Sequence, residues 1–187
     1  MIDSTLNHTR EPLRSRVSAA LAKALSVINL SGAVIVGVTL TLIFLVIFVN
    51  VIARYFFENG FTWAYEVPSI LFPWAVAGGI VMAASQGRNI SVDMFINALP
   101  SKFRRAIYVG INLFLGFVSA SVVIYSMPIV MSSRYSRLAE TGIPQIYGYS
   151  SIMYAFSFVC LVSVITAIEY MLGRDVYDKS PSENNFS

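Results

Sequence analysis

The sequence predicts an all-α membrane protein with four transmembrane helices, both termini in the cytoplasm, and interfacial amphipathic helices at the N-terminus and between helices 2 and 3. Three observations lead to this prediction. Hydrophobic residues make up 56% of the 187 residues and charged residues only 12%, about half the charged share of a typical soluble domain. The apolar residues form four long runs without a charge. Basic residues are concentrated in the N-terminal segment, the second connection and the C-terminal tail.

Four uncharged runs are long enough to cross a bilayer. They hold 30, 21, 28 and 28 residues and lie between Lys23 and Arg54, Glu66 and Arg88, Arg105 and Arg134, and Glu140 and Glu169. A transmembrane helix needs about 20 apolar residues, and lipid leaves backbone groups no partners outside a helix or a closed barrel. We therefore expect spans at about 28–53, 63–86, 106–132 and 143–169, within a membrane domain at about 26–172.

The distribution of Lys and Arg sets the expected orientation. Four spans put the N-terminus, the second connection and the C-terminus on one side, and ten of the thirteen Lys and Arg residues lie in those three segments. Cytoplasmic segments carry the excess of basic residues, so we place all three in the cytoplasm. A cleaved signal peptide is disfavoured because the first apolar run is far longer than the roughly 7–15 residues of a signal sequence.

The N-terminal segment 1–25 is expected to hold an amphipathic helix. Leu13, Val17, Leu21 and Leu25 form one stripe at helical spacing, which suits a helix lying in the headgroup region. The tail at 173–187 has the polar composition of a disordered segment.

The second connection is also expected to form an interfacial helix. Asp93 and Asn97 lie four residues apart on a narrow polar face, and Pro100 ends the segment. An ordinary loop packed on the helices is the alternative. Anionic lipid headgroups are the expected partners of the basic residues that follow, which are Lys102, Arg104 and Arg105.

Several classes of site are disfavoured by composition. The single cysteine, Cys160, cannot form an internal disulfide, and the single histidine, His8, lies in the N-terminal segment. Haem ligation between helices and a histidine metal site are therefore not expected. No nucleophile with a nearby base is apparent, and no basic patch suits nucleic acid. We expect no enzyme activity, no cofactor, no metal and no catalytic residue.

The middle of the predicted spans carries no Asp, Glu, Lys, Arg or His, whereas solute carriers usually have such residues there. The polar groups are hydroxyls, which in membrane helices bond chiefly to backbone carbonyls or neighbouring helices. They are Thr39, Thr41, Ser69, Ser119, Ser121, Tyr125, Ser157 and Ser163. This pattern favours a bracing role over a pore.

The first connection gathers charged and aromatic residues at a membrane boundary. Asn50 and Arg54 share a helix face because they are four residues apart. Thr62 is the expected N-cap of the second helix, with Glu66 in its first turn. The short connection is expected to bring Arg54 close to Glu66. A generic boundary ion pair with aromatic anchors and a docking patch for a second protein remain equally open.

Ordered motifs along the chain resemble the small four-helix membrane subunit of tripartite ATP-independent periplasmic (TRAP) transporters, the Q-type subunit. The resemblance covers about 28–172. Its motifs are Asn50, Arg54 and Tyr55; Trp63 and Glu66; Trp74; Gly87, Arg88, Ile90, Val92 and Asp93; Leu99 and Pro100; and Gly142, Ile143 and Pro144. Two positions depart from the family pattern, because Tyr65 replaces a frequent acid and Asn89 a frequent histidine.

The resemblance implies a partner-dependent role. Such subunits pair with a large M-type membrane subunit that contains the substrate and sodium sites, and a periplasmic binding protein delivers an organic acid, a carboxylate or sulfonate. The motif residues Asn50, Arg54, Tyr55, Trp63, Glu66, Trp74, Arg88, Asp93, Pro100 and Pro144 are then expected to be structural or to contact the large subunit. Candidate contacts for the binding protein are Glu58, Arg134, Arg137 and Glu140.

Two other functions remain open at this point. The chain could anchor a different multi-subunit complex, such as an oxidoreductase, in the membrane. It could also work alone as a homo-oligomeric carrier or channel, although it would then have to move a solute without mid-span charge.

Overall fold

The computed structural model describes the backbone of residues 3–86 and 101–171, and the side chains of 19–86 and 106–171. It contains four long helices, α1 (Asp3–Phe57), α2 (Glu66–Ser85), α3 (Ser101–Ser132) and α4 (Ile146–Met171), and a short 3₁₀ helix at Thr62–Tyr65. All four long helices are apolar enough and long enough to cross a membrane. The prediction of an all-α membrane protein with four spans is confirmed.

Helix α1 continues without a break from Asp3 to Phe57. The predicted N-terminal helix and the first span are therefore parts of one helix. A position of its first part in the headgroup region stays a prediction, as does the cytoplasmic location of both termini. The predicted second interfacial helix, with Arg88, Asp93 and Pro100, lies outside the described residues, and so does the predicted disordered tail.

The four helices pack in the order α1, α2, α4, α3. Helix α2 packs against both α1 and α4, and α3 packs against α4. Helices α1 and α3 therefore form the two edges of the arrangement. The small buried core joins α1, α2 and α4 through Leu25, Ile28, Val81 and Val162.

The close crossing of α1 and α2 depends on two glycines. A Cβ atom at Gly32 would lie 2.7 Å from the carbonyl oxygen of Gly78, and a Cβ at Gly78 would lie 2.8 Å from the carbonyl oxygen of Gly32. Real side chains do not tolerate these distances, so the two backbones approach closely only because neither position has a side chain. Small residues allow this kind of packing in membranes, where helices gain little from excluding lipid.

A hydrogen-bonded aromatic group holds α4 against α1 and α2. The indole Nε1 of Trp74 donates to the carbonyl oxygen of Tyr147 at 2.7 Å, and its ring contacts that of Tyr154 with centroids 5.7 Å apart. The Tyr154 hydroxyl lies 3.0 Å from Ser31 Oγ in α1. Trp74, a motif residue in the sequence, therefore braces the helices from inside this chain.

Candidate functional site at the Glu66 end of the helices

Two connections meet at one end of the helices. We call this the Glu66 end and define it as residues 50–66 and 133–145. The first group includes the last turns of α1, the first connection and the start of α2. The second group is the whole connection between α3 and α4. Most of the predicted site residues that the structure describes lie here.

Asn50 holds the first connection from within α1. Its Oδ1 accepts a hydrogen bond from the backbone N–H of Phe61 at 2.6 Å, and the side chain is only 4% exposed. Gly60 lies directly over this face, because a Cβ there would be 3.3 Å from Asn50 Oδ1 and 3.7 Å from Arg54 Cβ. Asn50 therefore fixes the path of the chain as it leaves α1.

The first connection begins with an unusual backbone conformation. Glu58, the residue after the last residue of α1, has φ = 57°. This left-handed conformation ends many helices, but glycine or asparagine normally occupies it. A side chain with a Cβ costs about 1 kcal/mol or more there, so Glu58 is held in a strained position at the surface.

The start of α2 differs from the sequence prediction. Thr62 begins the 3₁₀ helix, Phe61 precedes it in an extended conformation, and neither the 3₁₀ helix nor α2 has a side-chain cap. The prediction that Thr62 caps α2 is wrong, because the inserted 3₁₀ turn moves the start of α2 to Glu66. Glu66 does lie in the first turn of α2, as predicted.

The Glu66 carboxylate binds the connection between α3 and α4. Its Oε1 accepts a hydrogen bond from the backbone N–H of Glu140 at 2.8 Å. Its Oε2 accepts one from the backbone N–H of Thr141 at 2.8 Å and one from Thr141 Oγ1 at 2.7 Å. The partners of this carboxylate are therefore Glu140 and Thr141, and not Arg54 as expected. The carboxylate joins α2 to a connection more than 70 residues further along the chain.

The connection that Glu66 holds is a compact hairpin at 136–145. The backbone N–H of Leu138 donates to the carbonyl oxygen of Ile143 at 3.0 Å, and that of Gly142 donates to the carbonyl oxygen of Leu138 at 3.0 Å. Gly142 has φ = 65°, a conformation that glycine adopts without a steric penalty. The Glu140 and Thr141 N–H groups at the tip are then free to meet the carboxylate.

A candidate docking residue, Arg137, and a motif residue, Pro144, complete the hairpin. Arg137 pairs with Pro144 in an isolated antiparallel bridge, and Arg137 Nη1 donates to the carbonyl oxygen of Gly142 at 3.1 Å. The Gly-Ile-Pro motif therefore forms the returning side of the hairpin. Arg137 has a structural contact in addition to its predicted role as a docking residue.

The remaining predicted residues at this end are exposed. Arg134 lies over the ring of Tyr135 and donates to its hydroxyl. The side chains of Arg54, Glu58 and Glu140 are exposed. The exposed aromatic residues at this end are Tyr55, Phe56, Phe57, Phe61, Trp63, Tyr65 and Tyr135, a composition typical of a membrane–water boundary.

Sequence reasoning missed the partners of Asn50 and Glu66. The Phe61 N–H and the Thr141 side chain were not singled out, although Thr141 directly precedes the Gly-Ile-Pro motif. Loop backbone groups carry no side-chain pattern that would identify them as donors.

The middle of the spans offers no chemical centre in the part of the chain that the structure describes. No group of His, Cys, Asp and Glu there could hold a metal ion. Thr39, Thr41 and Ser121 donate to carbonyl oxygens of their own helices, on Ile35, Gly37 and Phe117. These hydroxyls are therefore satisfied within their own helices.

Comparisons with known proteins identify relatives along most of the chain. Residues 43–172 match the family model of the DctQ component of tripartite ATP-independent periplasmic transporters. A putative TRAP transporter small permease protein of Haemophilus influenzae is 26% identical over 156 residues, 83% of each chain. The ectoine TRAP transporter small permease protein TeaB of Halomonas elongata is 31% identical over 130 residues, which are 68% of this chain and 67% of TeaB.

A third relative matches a shorter segment. The C4-dicarboxylate TRAP transporter small permease protein DctQ of Vibrio cholerae is 36% identical over 61 residues, 33% of this chain and 26% of that protein. The family match covers well over half of the 187 residues, and four apolar helices suit its description as a small permease. The chain therefore belongs to the DctQ component family of TRAP transporters, and it is a small multi-pass permease subunit of the bacterial inner membrane, not an enzyme.

Proposed function

We propose that this subunit braces the large M-type membrane subunit and helps to dock a periplasmic binding protein during sodium-driven uptake of an organic acid. The observation that carries this proposal is the distribution of polar groups. Between Lys23 and Glu169, every charged side chain that the structure describes lies at or beyond the ends of the spans. Solute carriers usually have ionisable groups inside the membrane, and we propose that another chain supplies them here.

The Glu66 end is the proposed docking surface, facing the periplasm. The periplasmic location of this end follows from the orientation that the Lys and Arg distribution predicts. The hairpin is held rigidly by the Glu66 carboxylate, so a partner can bind it without a large loss of loop entropy. The proposed contacts are Glu58 of the first connection and the exposed charged side chains of 133–145, which are Arg134, Arg137 and Glu140.

The rest of the molecule suits a static brace. The crossing at Gly32 and Gly78 and the Trp74 contacts tie α1, α2 and α4 into one unit. We propose that the amphipathic N-terminal segment and the basic second connection bind anionic lipids on the cytoplasmic side and oppose tilting. The large subunit can then move against a partner that keeps its shape.

The organic acid itself is proposed to be selected by other chains. The names of two relatives state different substrates, ectoine and C4-dicarboxylate. This chain is similar to both, and in the residues that the structure describes the charged side chains of the spans lie only in their end turns. We therefore propose a carboxylate or sulfonate as the substrate class.

Co-purification tests the proposed function directly. The chain is tagged at its C-terminus, the native membrane is solubilised in mild detergent, and the proteins that co-purify are identified by mass spectrometry. We expect a large multi-span subunit in about equimolar amount. A chain that purifies alone or only with itself, and that transports a solute alone in liposomes, would instead establish the homo-oligomeric carrier.

Arg54 provides a specific test of the bracing role. Its side chain is exposed and free of the Glu66 carboxylate, so it is available to a partner. We expect Arg54→Ala to reduce both uptake and the amount of large subunit that co-purifies. A normal yield of complex together with normal uptake would exclude Arg54 from the interface.

A further inference from the structure

Two prolines interrupt the backbone hydrogen bonding of the spans. Pro73 lies inside α2 and Pro128 inside α3. Because proline has no N–H, the carbonyl four residues earlier loses its usual donor. The carbonyls concerned are those of Ser69 and Ile124. Lipid cannot satisfy a free carbonyl, so a neighbouring protein group normally covers such a position.

The Ser69 carbonyl, which lacks a donor because of Pro73, is covered by another helix of this chain. Gly148 of α4 packs against it, because a Cβ at Gly148 would lie 3.8 Å from the carbonyl oxygen of Ser69 and 3.6 Å from Ile70 Cα. A small residue on a neighbouring helix thus lets backbone approach backbone at the interrupted position. At Pro73, the proline in the span is therefore matched by a glycine of the adjacent helix.

The Ile124 carbonyl, which lacks a donor because of Pro128, lies on the side of α3 that faces away from α4. Within 106–132, the part of α3 whose side chains the structure describes, the buried residues are Tyr108, Gly116, Ser119 and Val130. Ile124 is 68% exposed, and Pro128 is also exposed. No other helix of the described chain packs on this face.

The same face of α3 carries another feature that lipid does not match. Phe117, Ser121 and Tyr125 line a shallow, open depression on its surface. The Tyr125 side chain is 79% exposed, and its hydroxyl makes no hydrogen bond to any residue that the structure describes. The rise of 1.5 Å per residue puts Tyr125 about 10 Å from the end of α3 at Ser132, within the span.

The exposed face of α1 provides the contrast. It presents aliphatic and aromatic side chains such as Val38, Phe44 and Leu45. Between 34 and 48, in the middle of the span, its exposed hydroxyl is that of Thr41, which donates to the carbonyl oxygen of Gly37 at 2.7 Å. Hydrocarbon covers such a face without leaving a polar group unpaired. The two edge helices therefore differ in the chemistry that their free faces require.

We propose that the face of α3 formed by Phe117, Ser121, Ile124, Tyr125 and Pro128 docks a transmembrane helix of the large subunit. That helix places a small residue against Pro128, as Gly148 does near Pro73, and supplies a hydrogen-bond donor to the Ile124 carbonyl. It also offers an acceptor to the Tyr125 hydroxyl. The inference rests on the proposed function, since it names the surface through which that pairing occurs.

Photocrosslinking in the intact complex tests the proposed surface. The photoreactive residue p-benzoylphenylalanine replaces Phe117 in one variant and Phe44 of α1 in a matched control. The two native side chains are both phenylalanines, 72% and 64% exposed. We expect the Phe117 position to give an adduct with the large subunit and the Phe44 position to give adducts with lipid.

The outcomes separate this inference from the function on which it rests. If the wild-type chain purifies without a large subunit, the proposed function fails. If the complex is intact but the Phe117 position crosslinks only to lipid or to a second copy of this chain, or gives no adduct, only the docking surface is wrong. Equal yields of large-subunit adduct at both positions would also overturn it.

A pair of proline variants tests the hydrogen bond itself. Pro128→Ala returns a donor to the Ile124 carbonyl within α3, so the donor of the partner loses its acceptor. Interhelical hydrogen bonds in membranes are individually modest, and we expect about three- to tenfold less large subunit retained after detergent washing. Pro73→Ala should leave retention unchanged, because α4 already covers that position. Equal retention in both variants would exclude a hydrogen bond at Pro128.

Discussion

The two connections at the Glu66 end are fixed by different means. The first has four residues between α1 and the 3₁₀ helix, and a single amide oxygen on the buried Asn50 holds it. The connection between α3 and α4 has thirteen residues, 133–145, and a carboxylate with three hydrogen bonds holds it. The shorter connection contains the strained residue, Glu58, whereas the longer one places a glycine at its left-handed position, Gly142.

The difference follows from chain length. A short connection has little conformational freedom to lose, so one hydrogen bond suffices, but its few residues must then adopt whatever backbone angles close the gap. A longer connection loses more conformational entropy when it becomes ordered, but it can close the gap with unstrained backbone angles. It stays in place only if another element binds it. Glu66 supplies that anchor from the start of α2.

The largest effect is expected from removing this anchor. Glu66→Ala deletes the acceptor of three hydrogen bonds and leaves the backbone N–H groups of Glu140 and Thr141 without a protein partner. We expect these two amides to exchange hydrogen at least about tenfold faster. Hydrogen exchange of the purified subunit, followed by mass spectrometry of the hairpin peptide, measures the effect.

Glu66→Gln serves as the matched control. A glutamine keeps one acceptor oxygen but replaces the other with a donor that cannot serve the N–H groups. Exchange should therefore lie between that of the wild type and that of Glu66→Ala. Unchanged exchange in Glu66→Ala would mean that the hairpin keeps its conformation through its internal hydrogen bonds alone.

Removal of the Asn50 amide should have a smaller effect. Asn50→Ala loses one hydrogen bond and leaves the Phe61 N–H unpaired, which costs about 1–2 kcal/mol of unfolding free energy. Unfolding of the purified subunit in a denaturing detergent titration measures this loss. Arg54→Ala, one turn further along the same face, is the control and should change the free energy by less than about 0.5 kcal/mol.

If both variants lower the free energy equally, the Asn50 hydrogen bond does not hold the first connection. The comparison with Glu66 would then need another explanation, because the short connection would be fixed by its length alone.

The fold could be predicted from the runs of uncharged residues, because lipid requires every span to be an apolar helix of about 20 residues. The sequence also placed Asn50 with Arg54 on one face and Glu66 in a first turn, because helical periodicity is local. It did not predict that Glu66 binds Thr141, 75 residues further along the chain. Loop backbone donors carry no sequence pattern. The 3₁₀ turn at Thr62–Tyr65 that displaced the predicted cap directly follows Phe61, whose N–H donates to Asn50.

Arg137 should have a small effect on the hairpin and a larger one on uptake. Its hydrogen bond to the Gly142 carbonyl oxygen is exposed, and such bonds contribute no more than about 0.5 kcal/mol. We expect Arg137→Ala to leave hairpin exchange nearly unchanged while uptake by the reconstituted transporter falls. Exchange as fast as in Glu66→Ala would assign Arg137 to the structure of the hairpin and remove it from the docking surface.

Glu58 should show the smallest effect on stability, and the effect should have the opposite sign. Glu58→Gly relieves the strain at φ = 57°, although glycine also gains freedom in the unfolded chain, so we expect a net stabilisation of at most about 0.5–1 kcal/mol. Glu58→Gln removes the charge and keeps the strain. If the carboxylate contacts the binding protein, both variants need more binding protein for half-maximal uptake, while only Glu58→Gly is more stable. Unchanged uptake in both would limit Glu58 to ending α1, a task for which glycine is the better residue.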